Sequence, residues 1–170
     1  MSSVNKIVSV CFLIGLLGLT TSCSDKNEHG VVGTWLLATR TVDIPFDVNK
    51  DGVFNTNLIA EIDCNERETL TFETNGTVSS GNEFSNVLRY FKDDSTNVYS
   101  INVDCNKEGI ISFASEYSII EENTIKVSNR IYVLKSDTLT TVYKNAIDIY
   151  NEDFTDIIET RDLTQVYTKQ

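Results

Sequence analysis

The chain has 170 residues, 25 of them acidic and 14 basic, and a formal net charge of −11 at pH 7. That excess of negative charge excludes nucleic acid and anionic lipid as partners held by charge, because both need a positive face. The single histidine, His29, lies near the amino end, which removes Ser-His and Cys-His catalytic pairs and most zinc sites.

The first residues read as a targeting segment. Lys6 supplies a positive n-region, and "IVSVCFLIGLLGLTTSC" follows as an apolar run ending in small residues and a cysteine. The run is too short and too abruptly ended for a membrane span. Leu19, Thr20, Thr21 and Ser22 before Cys23 resemble a bacterial lipobox, in which the signal peptidase cuts before the cysteine and the cysteine carries lipid. Thr20 stands where an aliphatic residue is usual. Bacteroidetes are looser at this site and often read "SC" there. The expectation is a lipoprotein signal peptide over 1–22, lipidation at Cys23, a flexible tether over 23–30 and one domain over 31–170. The alternative is an ordinary signal peptide, with Cys23 a spare thiol. Two or three acyl chains, at about 0.8 kcal/mol per buried methylene, hold a protein firmly to a membrane. The membrane is therefore an expected partner, and the outer membrane of the cell envelope the expected address. Asp25 and Glu28 in the tether resemble, loosely, a surface-export signal.

Strand signals dominate the rest. "GTWLLATRTVD" from Gly33 predicts a first strand with Trp35, Leu37 and Thr39 on one face. "DVNKDGVFNTNL" from Asp47 then opens like a calcium loop. Asp47, Asn49 and Asp51 take the first, third and fifth ligand positions, Gly52 the sharp turn, Val53 a carbonyl ligand, and Asn55 the next oxygen, with Phe54 tucked inward. The last position should be a bidentate Glu and is Leu58. Glu61, about one helical turn further on, could swing back. Two readings stay open: a structural calcium site, or a turn in which Asp and Asn side chains bond the backbone. Asn57 or Thr56 would cap a short helix near 57–62.

"ETLTFET" and "TVSSG" flank Asn75-Gly76, the strongest short hairpin signal. A two-residue turn there sets Phe72 across from Ser79 and mixes the inner face. "NVYSINVD" from Asn97 is the next strand. In "IISFASEYSII" from Ile110, Ile111, Phe113, Tyr117 and Ile119 share one face and Ser112, Ala114, Glu116 and Ser118 the other. "NTIKVSN", "RIYVLKS", "DTLTTVYK" and "DLTQVYTK" complete a meander of short strands, hence a barrel or sandwich. "AIDIYNEDFTDIIE" reads as strand, loop around Asn151–Asp153 and a further extended piece, with a helix as rival.

Cys11 leaves with the signal and Cys23 takes lipid, so Cys64 and Cys105 remain. In an oxidising compartment they are expected to pair, closing a loop worth about 3–4 kcal/mol. No C-x-x-C spacing supports a redox role.

Taken together, "VVGTWLLATRTVD", "DVNKDGVFNTNLIAEIDC" and "TLTFETNGTV" resemble the small lipocalin-like domain of Bacteroidetes lipoproteins. The matching residues are Gly33 and Trp35; Asp47, Asn49, Asp51 and Gly52; Thr56, Asn57, Leu58, Glu61 and Cys64; and Thr71, Phe72, Asn75, Gly76 and Thr77. The resemblance is specific over residues 31–78 and beyond that rests on strand rhythm. It implies an all-β fold, a small antiparallel up-and-down barrel of about eight strands with Trp35 plugging one end. Little function comes with it, since fold does not imply function.

The leading expectation is a non-catalytic binding or accessory module for a small apolar ligand, with Trp35, Phe72, Phe113 and Tyr117 lining or filling the barrel. A filled barrel serving as a structural or interaction module for an envelope protein is the second, and a carboxylate-based hydrolase a weaker third.

Overall fold

In chain order the elements are α1 (Glu28–Val31), β1 (Gly33–Phe46), β2 (Asn55–Asn57), α2 (Leu58–Glu61), β3 (Thr69–Phe72), β4 (Thr77–Gly81), β5 (Val87–Lys92), β6 (Tyr99–Asp104), β7 (Ala114–Glu121), β8 (Thr124–Val127), β9 (Arg130–Lys135), β10 (Thr138–Tyr150) and β11 (Ile157–Lys169). The computed structural model describes residues 28–64, 67–81, 86–105 and 112–170, with side chains from Gly30 onward. Cys11, Cys23 and Ile111 lie outside the described residues.

Eight strands close into an antiparallel barrel in the order β1-β3-β4-β7-β8-β9-β10-β11, with β11 returning to β1. Closure removes the unpaired edges that an open sheet of this size would expose. The inner face carries Trp35, Leu37, Leu70, Phe72, Val78, Ile125, Val127, Tyr132, Leu139 and Tyr167, each at most 3% exposed. Complete burial of an aliphatic or phenylalanine side chain is worth about 1.5–3 kcal/mol, so this layer dominates the stability of the barrel.

Three strands are too long for the barrel alone. β1 has 14 residues and β10 and β11 have 13 each, against about 5–6 for an ordinary strand. Their far halves run past the barrel and carry a second core, in which Val42, Ile44 and Phe46 meet Leu58, Tyr90, Ile147 and Ile149. The one-turn helix α2 and the β5–β6 hairpin cover it. The side chain of Asn57 caps α2 by accepting from Ile59 N at 3.3 Å. β5 was not apparent as a strand, although its Val87, Leu88, Tyr90 and Phe91 lie between polar runs.

Several sequence expectations hold. Phe113, just before β7, and Tyr117 and Ile119 within it pack against the barrel core. The ambiguous segment is a strand to Tyr150, a loop closed by Asn151 N donating to Asp156 O, and a strand from Ile157. Cys64 and Cys105 are bonded, with Cα atoms 5.5 Å apart.

Two register expectations need correction. The hairpin does not use a two-residue turn. Glu73 pairs with Thr77 around Thr74, Asn75 and Gly76, and only Gly76 adopts positive φ, at 84°. This is the three-residue loop that ends in a left-handed glycine. It moves the register by one, so Phe72 faces Val78, and both point inward. In β1 the pairing with β11 skips Ala38: Leu37 faces Tyr167, and Thr39 faces Val166. The bulge inverts the alternation. Thr39 therefore leaves the face of Trp35 and Leu37, and Arg40, Val42 and Ile44 take it over.

Residues 28–30 form α1 with Val31 and dock on the barrel end, because Lys169 Nζ donates to Gly30 O at 2.9 Å and Trp35 Nε1 donates to Val31 O at 2.7 Å.

Candidate functional site

The four aromatic residues singled out as ligand contacts come together at the closed end of the barrel and along its wall. Trp35 and Phe72 are 0% and 1% exposed, while Phe113 and Tyr117 are partly buried against the same cluster. The rings of Phe72 and Tyr117 meet edge to face, 5.1 Å apart, and the Tyr117 hydroxyl donates to Glu73 O at 2.9 Å. Lys169 lays its ammonium over the Trp35 ring. Trp35 and Phe72 thus fill the end of the barrel with their own volume, and Phe113 stands at the edge of the cluster.

Above this core lies a polar layer that sequence reasoning missed. Leu37 N donates to the backbone carbonyl of Glu68, which fixes Glu68 with its side chain inside, 6% exposed. The Tyr167 hydroxyl donates to Glu68 Oε1 at 2.9 Å, with Gln165 Oε1 3.1 Å away. Arg130 covers the group, its guanidinium 5.2 Å from the Tyr143 ring centre and 6.0 Å from that of Phe113. Burial alone would lower the pKa of Arg130, but Tyr143, Tyr132 and Glu68 together raise it. The alternation of "DLTQVYTK" carried a signal, because it places Gln165 on the same face as Leu163 and Tyr167.

The tyrosines of the interior are held protonated. Burial pushes Tyr132, Tyr143 and Tyr167 up, with Glu68 adding to the rise at Tyr167. Tyr90, in the second core, is pushed from 10.0 to about 12 by burial, with Arg40 pulling the other way. A raised tyrosine pKa means that the folded state keeps its proton longer. The associated stability is intact below the unfolded value near 10 and is lost as pH rises through the folded value. Stability should therefore be flat to about pH 10 and then fall, with Tyr90 alone accounting for on the order of 2–3 kcal/mol. Tyrosinate absorbance followed alongside circular dichroism checks this: these four phenols should ionise only as the sheet unfolds.

Beside Arg130 the barrel wall opens into a shallow pocket of about 230 Å³, lined by Phe113, Ser115, Val127, Ser128, Asn129 and Arg130. It offers an apolar wall, a cation and hydroxyl groups, a combination suited to holding a small molecule by contact and hydrogen bonding.

The Asp47 loop is a hydrogen-bonded knot. Asp47 accepts from Asp51 N and Gly52 N, Asn49 Oδ1 from Asp51 N, and Asp51 Oδ1 from Val53 N, all within 3.1 Å. Glu61 does swing back. It is 4% exposed and accepts from Val48 N at 2.9 Å and from Asn55 Nδ2. Phe54, expected to tuck inward, stands 52% exposed beside Val53, because α2 and β5–β6 already fill the second core. Among the described residues no three of His, Cys, Asp or Glu stand where they could hold one metal ion. Glu61→Gln removes a charged acceptor from the Val48 and Asn49 backbone amides and should lower the unfolding free energy by about 1.5–3 kcal/mol in urea denaturation.

With the geometry in hand, comparison with known proteins adds no identity: the chain matches no protein-family model and no curated protein.

Proposed function

We propose that this chain is a lipid-anchored, lipocalin-like, non-catalytic binding module of the bacterial cell envelope, which takes a small apolar ligand at the rim of its barrel. The observation that carries this reading is the contrast between the two parts of the interior. Trp35 and Phe72 are packed shut, whereas Phe113 borders an open pocket continuous with the same apolar cluster. The anchor rests on the lipobox resemblance at Cys23. Five residues from Cys23 to Glu28 reach at most about 17–18 Å, so a lipid there would hold α1 and the plugged end toward the membrane and leave the rim facing away.

Titration with cis-parinaric acid tests the ligand reading. Saturable binding is expected, weakened about tenfold in Phe113→Ala, which removes much of the apolar wall. Metabolic palmitate labelling that is lost in Cys23→Ser tests the anchor. Calcium in the Asp47–Glu61 loop belongs to the same proposal as a structural brace that would draw Asp47, Asn49, Asp51, Val53, Asn55 and Glu61 together out of their present hydrogen bonds. Millimolar calcium should raise the melting temperature of the wild type and not that of Glu61→Gln; an unchanged temperature leaves the loop to hydrogen bonding alone.

A second reading, a filled barrel that docks an envelope protein, is favoured by one observation. Ile131, Val133 and Val142 stand side by side on the outer face of β9 and β10, 42–49% exposed. Absence of parinaric acid binding by the wild type would favour it.

A further inference from the structure

A second cleft lies away from the rim, where β5 and β10 part. The two strands pair in parallel at only two positions, Ile149 with Tyr90 and Tyr150 with Phe91. Before those positions β10 is bent. Its pairing with β11 jumps from Tyr143–Leu163 to Ile147–Arg161, Asn145 turns at φ 50°, and Asp162 secures the bend by accepting from Asn145 N at 3.0 Å. The strands splay below the junction and leave a cavity of about 370 Å³, whose lining includes Arg40, Leu88, Arg89, Tyr90, Ile147 and Asp148.

Three features mark this cleft as a built site. First, Tyr90 is 4% exposed, and its hydroxyl has no hydrogen-bond partner among the described residues. A buried hydroxyl without a protein partner is uncommon, because its desolvation is not recovered. Second, the Ala38 bulge in β1 exists at the cost of regular pairing, and its consequence is to turn Arg40 from the outer face to the inner one. Bulges re-aim side chains in this way beside functional sites. The backbone of Arg40 is also pinned, its N–H donating to Asn57 Oδ1 at 3.0 Å. Third, in a chain with 25 acidic and 14 basic residues, the described lining of this cleft holds two arginines, Arg40 and Arg89, and one acid, Asp148. Among the described lining residues, basic side chains thus outnumber acidic ones, the reverse of the chain as a whole.

We propose that this cleft binds a small carboxylate-bearing molecule, with its carboxylate between the Arg40 guanidinium and the Tyr90 hydroxyl and its apolar body against Leu88 and Ile147. A guanidinium presents paired donors that match the two oxygens of a carboxylate, and a tyrosine held neutral supplies one more. The volume lies at the lower end of the range for small-molecule sites, which suits an acid with one ring. The site is independent of the rim pocket, since the two share no lining residue.

Titration of the full chain with benzoate, and with benzamide as its neutral counterpart, tests the proposal by calorimetry. Benzoate should bind saturably and at least about tenfold more tightly than benzamide, the margin of one charge-assisted contact. Arg40→Gln should erase that preference. Asp148→Asn should strengthen benzoate binding several-fold by removing a like charge. Tyr90→Phe keeps the ring and its packing and guards against a misfolded arginine variant. It should weaken benzoate binding about 3–10-fold and at the same time raise the melting temperature of the unliganded protein by about 2–4 °C, because it deletes an unmatched buried hydroxyl. Phe113→Ala should leave benzoate binding unchanged, which separates this site from the rim. A Tyr90→Phe protein that melts lower, benzoate binding that ignores Arg40→Gln, or no saturable benzoate binding at all would overturn the assignment.

Discussion

Trp35→Ala is expected to lower the unfolding free energy by about 3–5 kcal/mol, the range for truncating a fully buried large aromatic. The side chain is 0% exposed, and it does two jobs. Its ring fills the closed end of the barrel between Leu70 on β3 and Lys169 on β11. Its indole N–H holds α1 through Val31 O. Alanine leaves a cavity that backbone rings of paired strands cannot collapse, and it also leaves the Val31 carbonyl unmatched. Trp35→Phe keeps most of the volume and should cost less, with the remainder reporting the lost hydrogen bond, about 1–3 kcal/mol. Because Trp35 is the only tryptophan, urea unfolding must be followed by circular dichroism. A loss below 1 kcal/mol in Trp35→Ala would mean that the plug is not part of the cooperative core.

Removing the Cys64–Cys105 crosslink is the other large effect. The bond spans 41 positions in sequence, and the chain-entropy treatment gives about 4 kcal/mol for a loop of that length. Its position makes the loss local as well as global. Cys64 follows α2, and Cys105 follows β6, the strand at the open end of the sheet order. Without the bond, β6 is paired among the described strands only with β5, which in turn meets β10 at two positions. Cys64→Ser with Cys105→Ser should therefore reduce the denaturation midpoint. It should also speed amide hydrogen exchange over β5 and β6 before it does so in β10 and β11. Uniform exchange across the sheet would show that the crosslink stabilises only the unfolded-state side of the balance.

The second of these effects bears on the two candidate sites differently. The rim pocket belongs to the closed barrel, each of whose strands is paired on both sides. The β5–β10 cleft belongs to the weakly paired annex, so a loss of the crosslink should damage benzoate binding more than parinaric acid binding. The bulges at Ala38 and at 144–146 shape that annex, and both are departures from regular pairing of the kind that sequences keep where a side chain must be aimed.

What the sequence determined was everything that depends on neighbours along the chain. Period-two alternation placed Phe113, Tyr117 and Ile119 on one side of the chain through β7. Asn57 or Thr56 announced a helix cap, and Asn151–Asp153 announced the break between β10 and β11. The expectation of a signal peptide containing Cys11 and of lipid on Cys23 left Cys64 and Cys105 as the pair to bond. Tertiary structure alone decided the registers. A single extra residue at Ala38, or one more residue in the Thr74–Gly76 turn, costs little locally but moves every following side chain to the opposite face. Only the packing of both faces against distant strands selects between the two. For the same reason the inward turn of Arg40, the parallel junction of β5 with β10 and the Glu68–Tyr167 layer were hidden, since each is a contact between residues far apart in the chain whose energy no local window contains.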